Sequence, residues 1–214
     1  VSSLRISEIF CSLQGEARTV GLRTVFVRLT GCPLRCTWCD TAYAFSGGTS
    51  RTLDDIVADV AAQRARHVCV TGGEPLAQPE CLPLLTRLCD AGHEVSLETS
   101  GALDIAGVDQ RVSVVMDLKC PGSGEVARNR YENIALLAAK DQVKFVISDR
   151  ADYDWARFKL DEYDLPARVG EVLFSPEHGK LAPDLLAQWI LDDCLPVRMQ
   201  LQLHKLIWGD ARGR

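Results

Sequence analysis

Cys32, Cys36 and Cys39 fall within eight consecutive residues of a 214-residue chain that holds nine cysteines in all. Their spacing, C-x3-C-x2-C, gathers three thiols in one loop with Pro33, so all three can meet a single inorganic centre. Two kinds of centre take such donors. A structural zinc closes a tetrahedron of four ligands, often with a second cysteine or histidine pair, but His67, His93, His178 and His204 are scattered. An iron–sulfur cube also normally has four cysteine ligands; held by only three, one iron keeps an open position, and chemistry needs one. The other six cysteines, at 11, 69, 81, 89, 120 and 194, are dispersed, and an odd total argues against a disulfide scaffold.

Four further loops carry polar and glycine-rich residues. They are Thr71-Gly-Gly-Glu-Pro75, Glu98-Thr-Ser-Gly101, Lys119-Cys-Pro121 and Ser175-Pro-Glu-His-Gly-Lys180. Each follows a short apolar run of strand character, as the cysteine loop does. The runs are 24–29, 67–71, 94–99, 113–118, 142–147 and 171–174, with a seventh at 197–203. Between them the spacing predicts amphipathic helices over 52–65, with Thr52 as N-cap, over 79–91, closed by Gly92, and over 181–192. Weaker helical patterns cover 128–139 and 151–163.

Strands alternating with helices imply parallel strands joined by right-handed crossovers. Eight complete units usually take ~250 residues, more than this chain has. The expected architecture is therefore an α/β fold, an incomplete parallel (β/α) barrel with about six core strands. No linker divides the sequence, so 1–214 reads as one domain, with an N-terminal segment 1–23 and a C-terminal strand and tail 196–214. In such folds the loops at the carboxyl ends of the strands form the active site, and all five polar loops lie there.

Composition narrows the function. With 24 basic and 29 acidic residues the net charge is −5, which disfavours phosphate-neutralising nucleic-acid binding. The longest clean apolar run, 134–139, has six residues, far short of the ~18 of a membrane span. The N-terminus lacks the pattern of a signal peptide. A cytoplasmic protein is expected, without a membrane partner.

The three-cysteine loop after the first core strand, with Trp38 before the last cysteine and Gly72-Gly-Glu-Pro75 one strand later, resembles the radical S-adenosylmethionine (SAM) superfamily. That resemblance implies a 4Fe-4S cluster on Cys32, Cys36 and Cys39, whose open iron chelates SAM and cleaves it to a 5′-deoxyadenosyl radical. Segments 8–16, 26–28, 39–41, 97–101, 175–178 and 201–205 are together similar to the 7-carboxy-7-deazaguanine synthase family, from Ile6 to Lys205. Members convert 6-carboxy-5,6,7,8-tetrahydropterin to 7-carboxy-7-deazaguanine with loss of ammonia, in queuosine and deazapurine biosynthesis. They require magnesium and are usually homodimers; an electron donor such as flavodoxin is expected.

Carried over to this chain, the resemblance implies substrate contacts at Leu13, Gln14, Gly15, Arg28 and Thr71, with Glu16 a further candidate for the guanidine-like edge of the pterin. Arg28 would grip a carboxylate through paired charge-assisted bonds. Thr41 matches the magnesium ligand. SAM contacts fall to Trp38, Cys39, Asp40, Gly73, Ser100, Gly101, Asp117, Leu118, Lys119, Ser175, Pro176, Glu177 and His178, and Glu74 would receive the methionine ammonium. No acid or base is assigned; Glu98, Lys119 and His204 are nearby titratable candidates. Cys11 and Ala17 depart from the family pattern, and the residues after Lys205 extend beyond the point where some relatives end. Two rivals remain at this stage. One is a glycyl-radical-enzyme activase, which would leave the Leu-Gln-Gly-Glu segment without a role. The other is a non-catalytic zinc-stabilised binding module.

Overall fold

The β-branched runs pair into one twisted sheet in the computed structural model, which describes residues 2–209 and 211–213. Its nine strands are β1 (Ser3–Leu13), β2 (Arg23–Leu29), β3 (Thr49–Thr52), β4 (His67–Gly72), β5 (Glu94–Thr99), β6 (Ser113–Asp117), β7 (Gln142–Ile147), β8 (Glu171–Pro176) and β9 (Arg198–Met199). The spatial order is β3-β1-β2-β4-β5-β6-β7-β8-β9. From β2 through β8 every neighbour is parallel. These six strands are the expected incomplete barrel. The end strands β3 and β9 are not neighbours in the sheet, so hydrogen bonds do not close it.

Helices α1 (Leu53–Ala62), α2 (Cys81–Asp90), α3 (Arg150–Glu162), α4 (Leu165–Arg168), α5 (Pro183–Asp192) and α6 (Leu203–Trp208) complete the fold. Thr52 caps α1, its hydroxyl accepting the Asp55 N–H at 3.1 Å. Asp149 caps α3 in the same way through Asp152 N–H, 2.9 Å. Ile56, Val60, Leu84 and Leu88 from α1 and α2 share one apolar cluster with Val25, Val27, Val68 and Val70 of the sheet. Tyr153, Ala156, Leu160 and Leu186 from α3 and α5 share a second with Val143, Phe145, Val172 and Phe174. Alternate strand residues therefore face the helices, and the intervening ones face the concave side. That period of two is what positions the site.

Three expectations change. The N-terminal segment is a strand: β1 runs antiparallel to β2 with a register shift between Ile6 and Glu8. The shift flips the side-chain alternation, so no single period of two spans the segment. The stretch 128–139 is not a regular helix but two 3-10 turns, Val126–Arg128 and Tyr131–Leu136. Buried Asn133 lies there and gives its amide to the carbonyls of Gly101 and Leu103 at 3.1 and 2.7 Å. The expected strand over 197–203 pairs only at Arg198–Met199 and gives way to α6. Gln200 turns inward instead, accepting from Ala17 N and donating to Ala17 O at 2.7 and 3.0 Å, which ties the C-terminal segment to the N-terminal one.

Candidate active site

The carboxyl ends of the parallel strands open on a cavity of about 550 Å³. Each of the six core strands sends a polar residue into it: Arg28, Thr71, Glu98, Asp117, Lys144 and Ser175. Their sequence neighbours Val27, Val70, Leu97, Met116, Phe145 and Phe174 are all fully buried on the helix side.

The three-cysteine loop forms one wall. Gly31 turns the chain away from β2 at φ 98°, a conformation that favours glycine. Its N–H donates to Ala44 O and its carbonyl accepts from Glu74 N, both at 2.8 Å. Farther along, Thr37 donates through its backbone N and its hydroxyl to the carbonyls of Ser123 and Gly122, at 3.1 and 2.9 Å. Arg35 lies 4.2 Å over the Phe45 ring and donates its backbone N–H to Glu125 at 2.6 Å. Cys32, Cys36 and Cys39 are half-buried free thiols that line the cavity. Burial pushes the Cys32 and Cys36 thiols up from their ordinary value.

Among the described residues no three histidine, cysteine or carboxylate side chains meet around one point where a single ion would sit. Three thiols spread along one wall are a donor set for a group of several metal atoms, in which each sulfur meets a different one. They thus fit an iron–sulfur cluster held by three cysteines. Gly73 lets the loop after β4 close on the cysteine loop: a β-carbon there would collide with Gly31 O and reach within 2.8 Å of Cys32 Cβ. The other six cysteines stand off the cavity wall.

Beside the cysteines the cavity wall carries Trp38, Asp40, Gly73, Ser100, Asp117, Lys119, Ser175, Pro176, Glu177 and His178, as expected. Asp117 Oδ1 and Ser175 Oγ are buried with no hydrogen-bond partner. Such orphaned atoms fit a polar ligand that completes them. The other Asp117 oxygen pairs with Lys119 Nζ at 2.9 Å. Desolvation pulls the Lys119 ammonium down, but Asp117 and Cys36 override it and hold its pKa above the ordinary value.

Three expected cofactor contacts are not on the wall. Leu118 is fully buried in the helix-side core, the opposite parity to Asp117. Gly101 lies behind it, within 2.8 Å of Met116 through any β-carbon. Glu74, the expected ammonium acceptor, is fully buried. Its carboxylate accepts from Leu76 N (3.1 Å), Thr99 Oγ1 (2.9 Å), Ser100 N (2.7 Å) and Ser100 Oγ. It ties the loop after β4 to the loop after β5 rather than facing a ligand.

The opposite end of the cavity gathers the expected substrate residues. Leu13, Gln14, Gly15, Glu16, Arg28 and Thr71 all line it. Glu8 Oε1 accepts from both Arg28 Nε and Tyr43 OH, each at 2.7 Å. Arg28 is therefore fixed edge-on, with its terminal nitrogens left for a ligand. Burial lowers the Arg28 pKa, but Tyr43 and Glu8 more than offset it; the Tyr43 phenol is pushed up to about 12 by burial and by Glu8. Glu98 accepts from Thr71 Oγ1 at 2.8 Å and from Gln14 Nε2 at 3.4 Å. Thr41 and Asp40 face the cavity and are joined by a 2.8 Å hydrogen bond from the Thr41 hydroxyl. The tail packs behind this end, where Arg212 lies 4.1 Å over the ring of Tyr43, which bonds Glu8 and does not itself line the cavity.

Sequence reasoning missed Lys144 and Gln202, both on the wall and both bonded to Glu16. A signal existed for the first: a lysine inside the apolar run 143–147, at the parity opposite Val143 and Phe145.

A model of the radical SAM superfamily matches residues 26–120, from β2 into the loop after β6. The 7-carboxy-7-deazaguanine synthase of Koribacter versatilis is 44% identical over 96% of this chain and 97% of that protein. That of Chlorobaculum tepidum is 46% identical over 98% and 97%. This chain belongs to the 7-carboxy-7-deazaguanine synthase family. The crystal structure of QueE from Escherichia coli has the same fold, with a TM-score of 0.77 over 94% of this chain and 95% of that one at 22% identity. The family assignment gives the incomplete barrel its type, that of radical SAM proteins. It disfavours both the activase and the zinc module.

Proposed function

We propose that this protein converts 6-carboxy-5,6,7,8-tetrahydropterin to 7-carboxy-7-deazaguanine with release of ammonia, a carbon–nitrogen lyase reaction serving queuosine or other deazapurine synthesis. The observation that carries the reading is one cavity with a three-thiol wall at one end and Arg28, Gln14, Glu16 and Thr71 at the other. The end-to-end likeness to synthases of that name supports it. When bound, the 4Fe-4S cluster and SAM supply a 5′-deoxyadenosyl radical for hydrogen abstraction from the substrate.

The residues of the chain bind, orient and shield. Cys32, Cys36 and Cys39 would hold the cluster, and Gly73 lets the loop after β4 pack against the loop that carries them. Asp117 Oδ1 and Ser175 Oγ supply acceptors for the polar ends of SAM, while Trp38 offers an aromatic face. Arg28, held by Glu8 and Tyr43, presents its terminal nitrogens to the substrate carboxylate in the bidentate manner that suits a guanidinium. Phe10, Phe26, Leu34, Val115 and Val146 line the same cavity and would shield bound ligands from water. The Thr41 hydroxyl, next to the Asp40 carboxylate, is a hard oxygen donor suited to Mg2+, which would orient the substrate carboxylate. A homodimer, a flavodoxin-like electron donor and a cytoplasmic setting complete the proposal; among the described residues no helix is long and apolar enough to cross a membrane.

The test is anaerobic incubation of cluster-reconstituted protein with reductant, SAM and the tetrahydropterin, with and without Mg2+. Formation of the deazaguanine acid, faster with Mg2+, is expected. Formation of 5′-deoxyadenosine without that product would retain the radical SAM assignment and overturn the substrate.

A further inference from the structure

Of the six polar strand contributions, Glu98 and Lys144 have no part in the proposal above, and Lys144 is the one that meets Glu16. Its Nζ bonds Glu16 Oε2, and Gln202 Nε2 bonds Glu16 Oε1 at 2.7 Å. A carboxylate offers about four lone-pair sites. One on each oxygen is taken, so one on each remains, and Glu16 lines the cavity. Two parallel acceptors so spaced complement two adjacent N–H donors.

The two partners also fix where that face points. Lys144 rises from the centre of β7, paired on both sides with β6 and β8. Gln202 precedes α6, whose Leu203 N–H donates to Gly15 O at 3.0 Å. The His204 ring packs so tightly on Gly15 that no β-carbon would fit there. Glu16 is thus gripped by a strand on one side and by the C-terminal segment on the other.

We propose that Lys144 and Gln202 are positioning residues that hold Glu16 as a doubly accepting carboxylate, which reads the adjacent N–H donors of the substrate's guanidine-like edge. The inference rests on the pterin reading above and assigns the group that separates an aminopyrimidinone from isosteres lacking the amino function. Arg28 and Glu16 then grip opposite ends of one flat heterocycle.

The pH dependence of a Lys144 variant follows from the groups around Glu16. Burial raises the Glu16 pKa, but Lys144 from β7, the Gln202 hydrogen bond and His204 from α6 together bring it below its ordinary value. Glu98 of β5 and Asp117 of β6 act in turn on Lys144, raising its pKa, and Lys119 stands beyond them. Without Lys144, burial acts against a weaker opposition and the carboxyl takes up a proton as pH falls. One acceptor then becomes a donor, and the match to two N–H groups is lost.

The experiment is anaerobic equilibrium titration of cluster-reconstituted protein with 6-carboxytetrahydropterin and with its analogue carrying methyl in place of the 2-amino group, from about pH 6 to about pH 9, the range above the ordinary carboxylate pKa. Wild type is expected to favour the amino compound by at least about 100-fold, as sites built around a substrate N–H do. Lys144→Met should weaken binding about 10- to 100-fold, the scale of a charge-assisted bond, with affinity that rises with pH where wild type is flat. Lys144→Arg should restore most of the loss and the flat profile. Gln202→Leu, outside any strand, should weaken binding about 2- to 10-fold and decides the matter if Lys144→Met does not fold. Wild type that binds both compounds equally, or variants that bind like wild type with flat profiles, would overturn the inference. Wild type that binds neither compound would overturn the functional reading and the inference with it.

Discussion

Replacing Glu74 by glutamine separates two roles for the glutamate of the Gly-Gly-Glu-Pro loop. Its carboxylate is fully buried and receives two backbone N–H donors, Leu76 N on Oε1 and Ser100 N on Oε2, at 3.1 and 2.7 Å. The Thr99 hydroxyl bridges both oxygens at 2.9 Å. Glutamine turns one oxygen into an NH2 group, and in either orientation that group opposes a backbone N–H that cannot rotate away. A buried donor left unsatisfied costs about 1–3 kcal/mol, and the remaining bonds lose charge assistance worth about 1 kcal/mol. The neutral amide recovers part of this because it is cheaper to desolvate. The expected net loss is about 2–3 kcal/mol, which for a chain of this size lowers Tm by roughly 4–12 °C. Thermal and urea unfolding of the cluster-free protein, followed by circular dichroism under anaerobic conditions, measures it. If Glu74 instead received the SAM ammonium, the variant would unfold like wild type and lose only SAM affinity. A Tm within about 2 °C of wild type, together with weakened SAM binding, would refute the tying role.

Gly73→Ala places a methyl group against the Gly31 carbonyl and Cys32 Cβ; overpacking of this kind costs about 1–3 kcal/mol. The chain should fold but take up less iron and sulfide, so full loading at unchanged stability would contradict the close approach. Cys36→Ala should abolish cluster formation after anaerobic reconstitution, and a normal iron and sulfide content would show that Cys36 is no ligand. Arg28→Lys keeps the charge but loses the planar pair of donors. KM for the carboxylated pterin should rise about 10-fold or more with cluster content unchanged; an unaltered KM would remove Arg28 from the carboxylate.

What the sequence made legible was whatever is local. The three cysteines lie in one loop, and six β-branched runs with intervening amphipathic stretches identify the barrel without any knowledge of contacts. Capping by Thr52 is equally local. Orientation was not legible where it depends on distant partners. Nothing within Gly72-Gly-Glu-Pro75 says which way Glu74 turns, because Thr99 and Ser100, which claim it, lie 25 and 26 residues away. Lys144 meets Glu16 across 128 residues. The β1 strand was hidden for another reason, since its register shift breaks the alternation that announces a strand.

One regularity links the missed contacts to the ones foreseen. Three cations that the strands and the loops after them hold at the cavity are each paired to a carboxylate: Arg28 with Glu8, Lys119 with Asp117, and Lys144 with Glu16. An unpaired charge at such depth would cost several kcal/mol, so a barrel can carry this many charges only if their pairing is built before any ligand arrives. The pairs leave defined groups over: the terminal nitrogens of Arg28, the second acceptor on each Glu16 oxygen, Asp117 Oδ1. Those remainders, N–H donors on Arg28 and two acceptors on Glu16, are the pattern that the proposed carboxylated aminopyrimidinone would answer. On the proposed reading, specificity is what ion pairing leaves unsatisfied, and Lys144, which need touch no ligand, then belongs to the substrate site as much as Arg28 does.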